Sequence, residues 1–217
     1  MFKRQRTEEE LQKGEAIGVI RASRFVRKYA HSHKPIDVTV ILKIHKEIFK
    51  DIWPDIAEKY RDENLKINHS QHLPPHFSQV KREMDDFDKE LEKYIKDLDI
   101  SEGIIFDIEN NRDNKVIDEI EKIIRLSAWV HHKITHIHPF REGNGRTARL
   151  AGNLILERYG LVGISIKVEK ENKNQYCNAL AQIDEMGDYE PLVALISDGL
   201  VERYNGVSMK YYDLPTK

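Results

Sequence analysis

The spacing of apolar residues along this chain is helical nearly throughout. The cleanest run is Phe77, Val80, Met84, Phe87, Leu91, Tyr94 and Leu98, which steps by three and four and lines one face of a helix. Upstream, Leu11, Ile17, Ile20, Phe25, Val26 and Tyr29 predict an amphipathic N-terminal helix over 7–33, ending at His33-Lys34-Pro35. Thr7 and Glu10 stand at capping-box spacing at its start. A second helix runs from about Asp37, with Val38, Ile41, Leu42, Ile44, Ile48 and Phe49 as its buried side. The polar segment Tyr60 to Pro75 carries Asn64, Asn68 and a Pro74-Pro75 stop, and Leu65-Lys66-Ile67 within it reads as a short hairpin or loop.

Beyond an acidic, asparagine-rich connector from Ser101 to Asn114, the residues Val116, Ile120, Ile123, Ile124, Trp129, Val130 and Ile134 predict a strongly apolar helix. It ends near His138, one residue before Pro139. Another helix follows to about Tyr159 and stops at Gly160. Two more are expected at about 173–186 and 190–204, with 205–217 as a strand or tail. The fold class is therefore all-α. With 217 residues and 40% hydrophobic content the chain suits one domain with a real core.

Charge narrows the range of partners. A net charge of -2 with 33% charged residues is a solvated, nearly neutral surface, which gives no electrostatic case for a nucleic-acid binder. The one cysteine, Cys177, excludes an internal disulfide framework and a cysteine metal cage. No apolar run reaches membrane-span length. The start, Met1-Phe2-Lys3-Arg4-Gln5-Arg6 followed by Thr7-Glu8-Glu9-Glu10, lacks the apolar core of a signal peptide, so a cytoplasmic setting is the expectation.

Chemistry concentrates in His138-Pro139-Phe140-Arg141-Glu142-Gly143-Asn144-Gly145-Arg146-Thr147-Ala148-Arg149. The apolar residues Leu150, Leu154, Ile155 and Leu156 follow, so the glycine turn opens a helix. Backbone amides at a helix N-terminus favour an anion. Arg146 and Arg149 share a face there and oppose the helix dipole, a local conflict that points to function. The residues alone indicate a phosphate site.

This run resembles the signature of the Fic family, His-x-Phe-x-(Asp/Glu)-Gly-Asn-Gly-Arg-x-x-Arg. Every specified position is filled, by His138, Phe140, Glu142, Gly143, Asn144, Gly145, Arg146 and Arg149. Weaker similarities extend it over a core of about 41–200: Ile44-His45-Lys46-Glu47-Ile48-Phe49, Ala57-Glu58-Lys59-Tyr60-Arg61, Leu73-Pro74-Pro75-His76, Tyr176 with Ala179-Leu180, and Gly187-Asp188. Ala57-Glu58 departs from the Trp-Ala-Gly turn of many members. The resemblance implies a compact Fic-type helical bundle with a short β-hairpin flap. It implies transfer of AMP from ATP to a Ser, Thr or Tyr hydroxyl of a target protein.

In that reading His138 is the general base and Glu142 holds Mg²⁺. Phe140, Gly143, Asn144, Gly145, Arg146, Arg149 and Tyr176 serve the nucleotide. Backbone amides and the Asn144 carboxamide meet the phosphates, the arginines clamp the β- and γ-phosphates, Phe140 anchors the loop, and Tyr176 stands near adenine or packs in the core. Leu65, Lys66 and Ile67 form the flap edge that a target strand would join, or an ordinary surface loop. Arg141 has no assigned role.

Other readings stay open. UTP or CDP-choline is an alternative donor, and a nucleotide-binding module without turnover is a second class. The cluster His131, His132, His136 and His138 suggests zinc, but no Glu stands between His132 and His136 as in zinc proteases, so a structural role is favoured for the first three. The family's inhibitory pattern, (Ser/Thr)-x-x-x-Glu-(Gly/Asn), whose Glu would pair with Arg149, has no intact copy. Glu15 has Leu11 four back and Ala16 after it. The expectation is a chain that is unrestrained, or is held by a separate antitoxin-like protein. A homo-oligomer is left open.

Overall fold

The computed structural model describes residues 7–67, 70–98, 114–166 and 172–212. The described residues form seven α-helices: α1 (Glu8–Ala30), α2 (Val38–Phe49), α3 (Val80–Leu98), α4 (Asn114–Ile137), α5 (Asn144–Arg158), α6 (Asn172–Met186) and α7 (Glu190–Tyr212). A single 3-10 turn, Phe77–Gln79, leads into α3. The all-α expectation holds, and none of the described helices is long and apolar enough to cross a membrane.

Local chemistry explains the helix ends. The capping box at α1 is complete: Glu10 N–H donates to Thr7 Oγ1 (3.2 Å) and Thr7 N–H to the Glu10 carboxylate (2.9 Å). Asp37 caps α2 by accepting from Val40 N–H (3.1 Å). At the far end of α5, Gly160 takes φ 91°, a left-handed conformation that glycine adopts freely.

The apolar helices meet in one core. Ile41, Ile44, Ile48 and Phe49 of α2 pack with Met84, Phe87 and Leu91 of α3, Ile123 and Ile134 of α4, and Leu154 and Ile155 of α5, all essentially solvent-free. Helices α4 and α5 form the most extensive pairing, with α1 against both α2 and α5. Gly152 admits Ser127 of α4, whose hydroxyl donates to the Gly152 carbonyl (3.0 Å).

Three expectations need correction. Ile17 and Ile20 do not face the core; they are 61% and 55% exposed. The buried stripe of α1 is Gly18, Ala22, Val26 and Ala30, and small residues there bring the backbones together. A Cβ on Gly18 would lie 2.0 Å from the Ile48 carbonyl oxygen. The supposed tail at 205–217 is helical through Tyr212, since no proline interrupts the chain before Pro215; 213–217 lie outside the described residues. No strand occurs among the described residues, so the hairpin at Leu65-Lys66-Ile67 is not formed there. Leu65 and Ile67 are half-buried and Lys66 exposed, a strand-like alternation, but no ladder bond pairs this segment with another among the described residues. The connector expected at Ser101–Asn114 lies outside the described residues, except that Asn114 begins α4.

Candidate active site

The turn between α4 and α5 carries the chemistry. At the end of α4 the backbone N–H of His138 still bonds the Ile134 carbonyl (3.0 Å), and then its φ swings to 52°. A left-handed conformation is uncommon for a residue with a side chain, and such strain concentrates at functional positions. Two observations show what holds it. The Arg61 Nε–H donates to the His138 carbonyl (2.8 Å), and Arg61 N–H donates to the Pro139 carbonyl (2.9 Å). The same guanidinium donates to the carbonyls of Glu63 (2.9 Å) and Pro75 (2.5 Å). Arg61, 4% exposed, therefore ties both ends of the 63–75 segment to the turn.

The ring of His138 is held in one tautomer. Its Nδ1 lies 3.2 Å from the Thr135 carbonyl, which can only accept, so Nδ1 carries the proton and Nε2 keeps a lone pair. Burial lowers the His138 pKa below its ordinary value; the Thr135 bond opposes this and the Arg61 charge adds to it. The neutral, proton-accepting form is thus favoured near neutrality.

The loop that follows is closed from inside. Asn144, 3% exposed, accepts from Phe140 N–H (2.8 Å) and donates to the Phe140 carbonyl (2.7 Å). Its carboxamide, expected to face phosphate, is committed to the loop instead. Phe140 is fully buried and stacks on His45 with centroids 3.9 Å apart, so it contributes packing and no ligand surface. His45 accepts from Glu58 N–H at Nδ1 (3.1 Å), which leaves Nε2–H to donate to the Glu142 carbonyl (3.0 Å). Desolvation lowers its pKa to about 4, keeping it neutral. Gly143 takes φ 79° beneath Phe49, where a Cβ would lie 2.3 Å from the ring.

Helix α5 then starts at Asn144, and its first-turn amides have no acceptor within the helix. Arg146 projects from this turn, bonded to Glu142 (2.9 Å) and ion-paired with Glu15 of α1. Its guanidinium carbon sits 5.1 Å over the Phe49 ring. Glu142 uses Oε1 for Arg146 and for Gly143 N–H (2.9 Å), and its side chain is 49% exposed. Tyr176 is buried, with its hydroxyl 2.7 Å from His131 Nε2. Its ring meets that of His131 edge-on, with centroids 5.6 Å apart.

The four histidines do not form one site. His131 turns inward to Tyr176, His138 faces the loop, and His132 and His136 converge on Asp184 of α6 at 2.9 and 2.7 Å. Nothing in the sequence alone assigns a role to Arg61, His45 or Asp184, which folding brings against the turn and the histidines of α4. A cavity of about 360 Å³ lined by Arg27, His31, Glu157 and Arg203 lies by the opposite end of α5, so cavity size does not locate this site.

Residues 35–156, which span the whole of this turn and most of α5, match the profile of the Fic/DOC family. The chain belongs to the Fic/DOC family. Among relatives, it is 28% identical over 197 residues to protein adenylyltransferase fic-1 of Caenorhabditis elegans, covering 88% of this chain and 34% of that protein. It is 27% identical over 188 residues to protein adenylyltransferase Fic of Nematostella vectensis, covering 86% of this chain and 38% of that one. The chain thus spans little more than a third of these relatives' length. Solved Fic structures share the fold. Fic-1 (residues 134–508) from C. elegans superposes with a TM-score of 0.68 at 24% identity, covering 97% of this chain and 56% of that one. The BepC protein of Bartonella tribocorum, solved with bound AMPPNP, gives 0.64 at 18% identity, covering 89% and 87%.

Proposed function

We propose that this Fic chain transfers the AMP moiety of ATP to a hydroxyl side chain of a target protein. The observation that carries the reading is the fixed tautomer of His138 beside the amide-rich start of α5. The hydroxyl gives its proton to Nε2 of His138 as its oxygen attacks the α-phosphorus. The new oxygen–phosphorus bond replaces the bond to the β-phosphate, and pyrophosphate leaves. First-turn amides of α5 and the guanidinium groups of Arg146 and Arg149 hold the phosphates in line. Gly143 and Gly145 keep that turn open to them.

Glu142 suits Mg²⁺: one carboxylate oxygen is engaged within the loop, and the other has no partner among the described residues and is open to solvent. Bound there with ATP, the ion would neutralise phosphate charge. The Leu65-Lys66-Ile67 segment, tethered at both ends by Arg61, offers an edge to an extended target segment by β-augmentation. The chain works as one domain over 1–217 in this reading, in the cytoplasm. Glu15 already sits on Arg146, the first motif arginine, whereas a separate antitoxin-like inhibitor would address Arg149, the second.

A donor panel tests the reading. ATP, UTP and CDP-choline are supplied in turn with Mg²⁺ and cell lysate, and proteins are analysed by mass spectrometry. An adenylyl mass increment with ATP alone is the expected result. A uridylyl or phosphocholine increment would keep the fold and change the donor, and nucleotide binding with no modification would replace the enzyme with a binding module.

A further inference from the structure

We propose that His72, His136 and Asp184 hold a divalent transition-metal ion, with His132 supporting the carboxylate. The three come from distant parts of the chain: the segment before α3, the last turn of α4 and the last turn of α6. One ligand atom from each lies within 4.8 Å of the others. None of them is used in the transfer mechanism.

Proton accounting points to a cation. His72 Nε2 lies 2.8 Å from the His136 carbonyl, so it must donate there. In the neutral ring Nδ1 is then a bare acceptor, and it faces Asp184 Oδ2 at 4.0 Å. Two acceptors confront each other at a separation too long for a hydrogen bond. It is close to the roughly 3.4 Å expected between two ligands of a tetrahedral zinc with bonds of about 2.0–2.1 Å. The His72 and His136 rings stack at 4.1 Å, so both imidazoles are already gathered on one side of the carboxylate.

The surroundings resemble the outer sphere of a metal centre. The hydroxyl of Tyr189 lies 3.3 Å from His132 Nδ1 and donates to it, which sets His132 Nε2–H to donate to Asp184 Oδ1 at 2.9 Å. His136 Nδ1 approaches the same oxygen at 2.7 Å, so it is the nitrogen turned toward the carboxylate and the one an ion would engage in place of that contact. A carboxylate oriented by a neighbouring histidine is a recurrent support for a bound ion. His72 and Asp184 are mostly shielded, 14% and 16% exposed, whereas His136 is 42% exposed and gives a route from solvent. Two imidazoles and a carboxylate suit Zn²⁺, Co²⁺ or Fe²⁺ rather than Mg²⁺, and leave a coordination position for water. An ion here would fasten the segment downstream of Leu65-Lys66-Ile67 to α4, two residues before His138, and to α6.

The test is Co²⁺ titration of the full chain after chelator treatment, in excess Mg²⁺ so that the phosphate site is saturated. One equivalent of Co²⁺ should bind with visible d–d absorption of low-symmetry coordination, and Zn²⁺ should displace it. Asp184→Asn should remove this absorption, and His132→Gln should weaken binding by about ten- to a hundredfold. His72→Cys keeps a ligand and should add a thiolate-to-cobalt charge-transfer band that the wild-type chain lacks. Circular dichroism on each variant separates lost binding from lost folding. Absence of visible absorption in the wild type would overturn the proposal. So would unchanged absorption in Asp184→Asn, or a folded His72→Cys chain that binds Co²⁺ with no thiolate band. None of these readouts depends on nucleotide transfer.

Discussion

Glu15 of α1 and Arg146 of α5, 131 positions apart, form an ion pair at the mouth of the turn that begins with His138. Both side chains are about three-quarters shielded, and Glu142 holds the same guanidinium from the other side. The sequence pattern of the family's inhibitory helix does not fit Glu15, and the arginine engaged is the first of the motif rather than the second. The pair nevertheless occupies a group that a polyphosphate would need. Glu15→Gln should therefore tighten ATP binding by roughly fivefold, as expected for loss of a competing charge-assisted bond of about 1 kcal/mol. Calorimetric titration with ATP and Mg²⁺ reads this directly. Unchanged or weaker binding in Glu15→Gln would show that the pair is structural only.

His138 sets a pH signature. Burial is the main cause of its lowered pKa, so the neutral ring persists below the ordinary imidazole value of 6.5. The acid limb of kcat/KM for transfer should lie below 6.5, because that limb reports the free enzyme's base. A pH–rate profile on a purified target checks it, and a limb above 6.5 would point to a different base.

Stability should fall on mild acidification. His45 and His131 are buried neutral, with pKa values near 4 and about 3, whereas both titrate near 6.5 when unfolded. Below 6.5 the unfolded chain takes up protons that the folded chain refuses. The stability these neutral rings contribute is complete above 6.5 and declines as pH falls toward 4. The expected slope is about 1.4 kcal/mol per pH unit for each histidine. Urea midpoints at pH 7.5 and 5 would show it, and His45→Gln should flatten the dependence.

Backbone conformation makes two positions informative. Gly143→Ala combines a left-handed φ with a Cβ overlapping the Phe49 ring. It should cost about 2–4 kcal/mol, from strain and overpacking together. Glu58, at φ 62°, holds a left-handed conformation that glycine adopts more freely. Thermal melting should find Glu58→Gly more stable than Glu58→Ala by about 1 kcal/mol, since both lose the Lys46 ion pair but only alanine keeps the left-handed penalty. Equal melting temperatures would contradict the strain.

The helices were legible because their apolar residues follow a helical period, as in the run from Val80 to Leu98. The turn was legible because His138, the glycines and the arginines are contiguous. What escaped was tertiary. Arg61 and His45 look like ordinary polar residues until folding buries them against carbonyls of the turn, and Asp184 is one aspartate among many until α6 meets α4. Asn144 reads from the sequence as a phosphate donor, but its side chain closes the loop, a choice decided by where Phe140 is pinned. Ile17 and Ile20 fit a helical period yet face solvent, because a glycine-alanine stripe packs more closely against α2.

The most direct test of adenylyl transfer uses two labels. The full chain is incubated with Mg²⁺, cell lysate and ATP labelled at either the α- or the γ-phosphate, beside His138→Ala. Label on protein from the α-position alone, lost in His138→Ala, is the predicted result. Label from the γ-position, or α-label that persists in His138→Ala, would contradict the assignment of adenylyl transfer with His138 as its base.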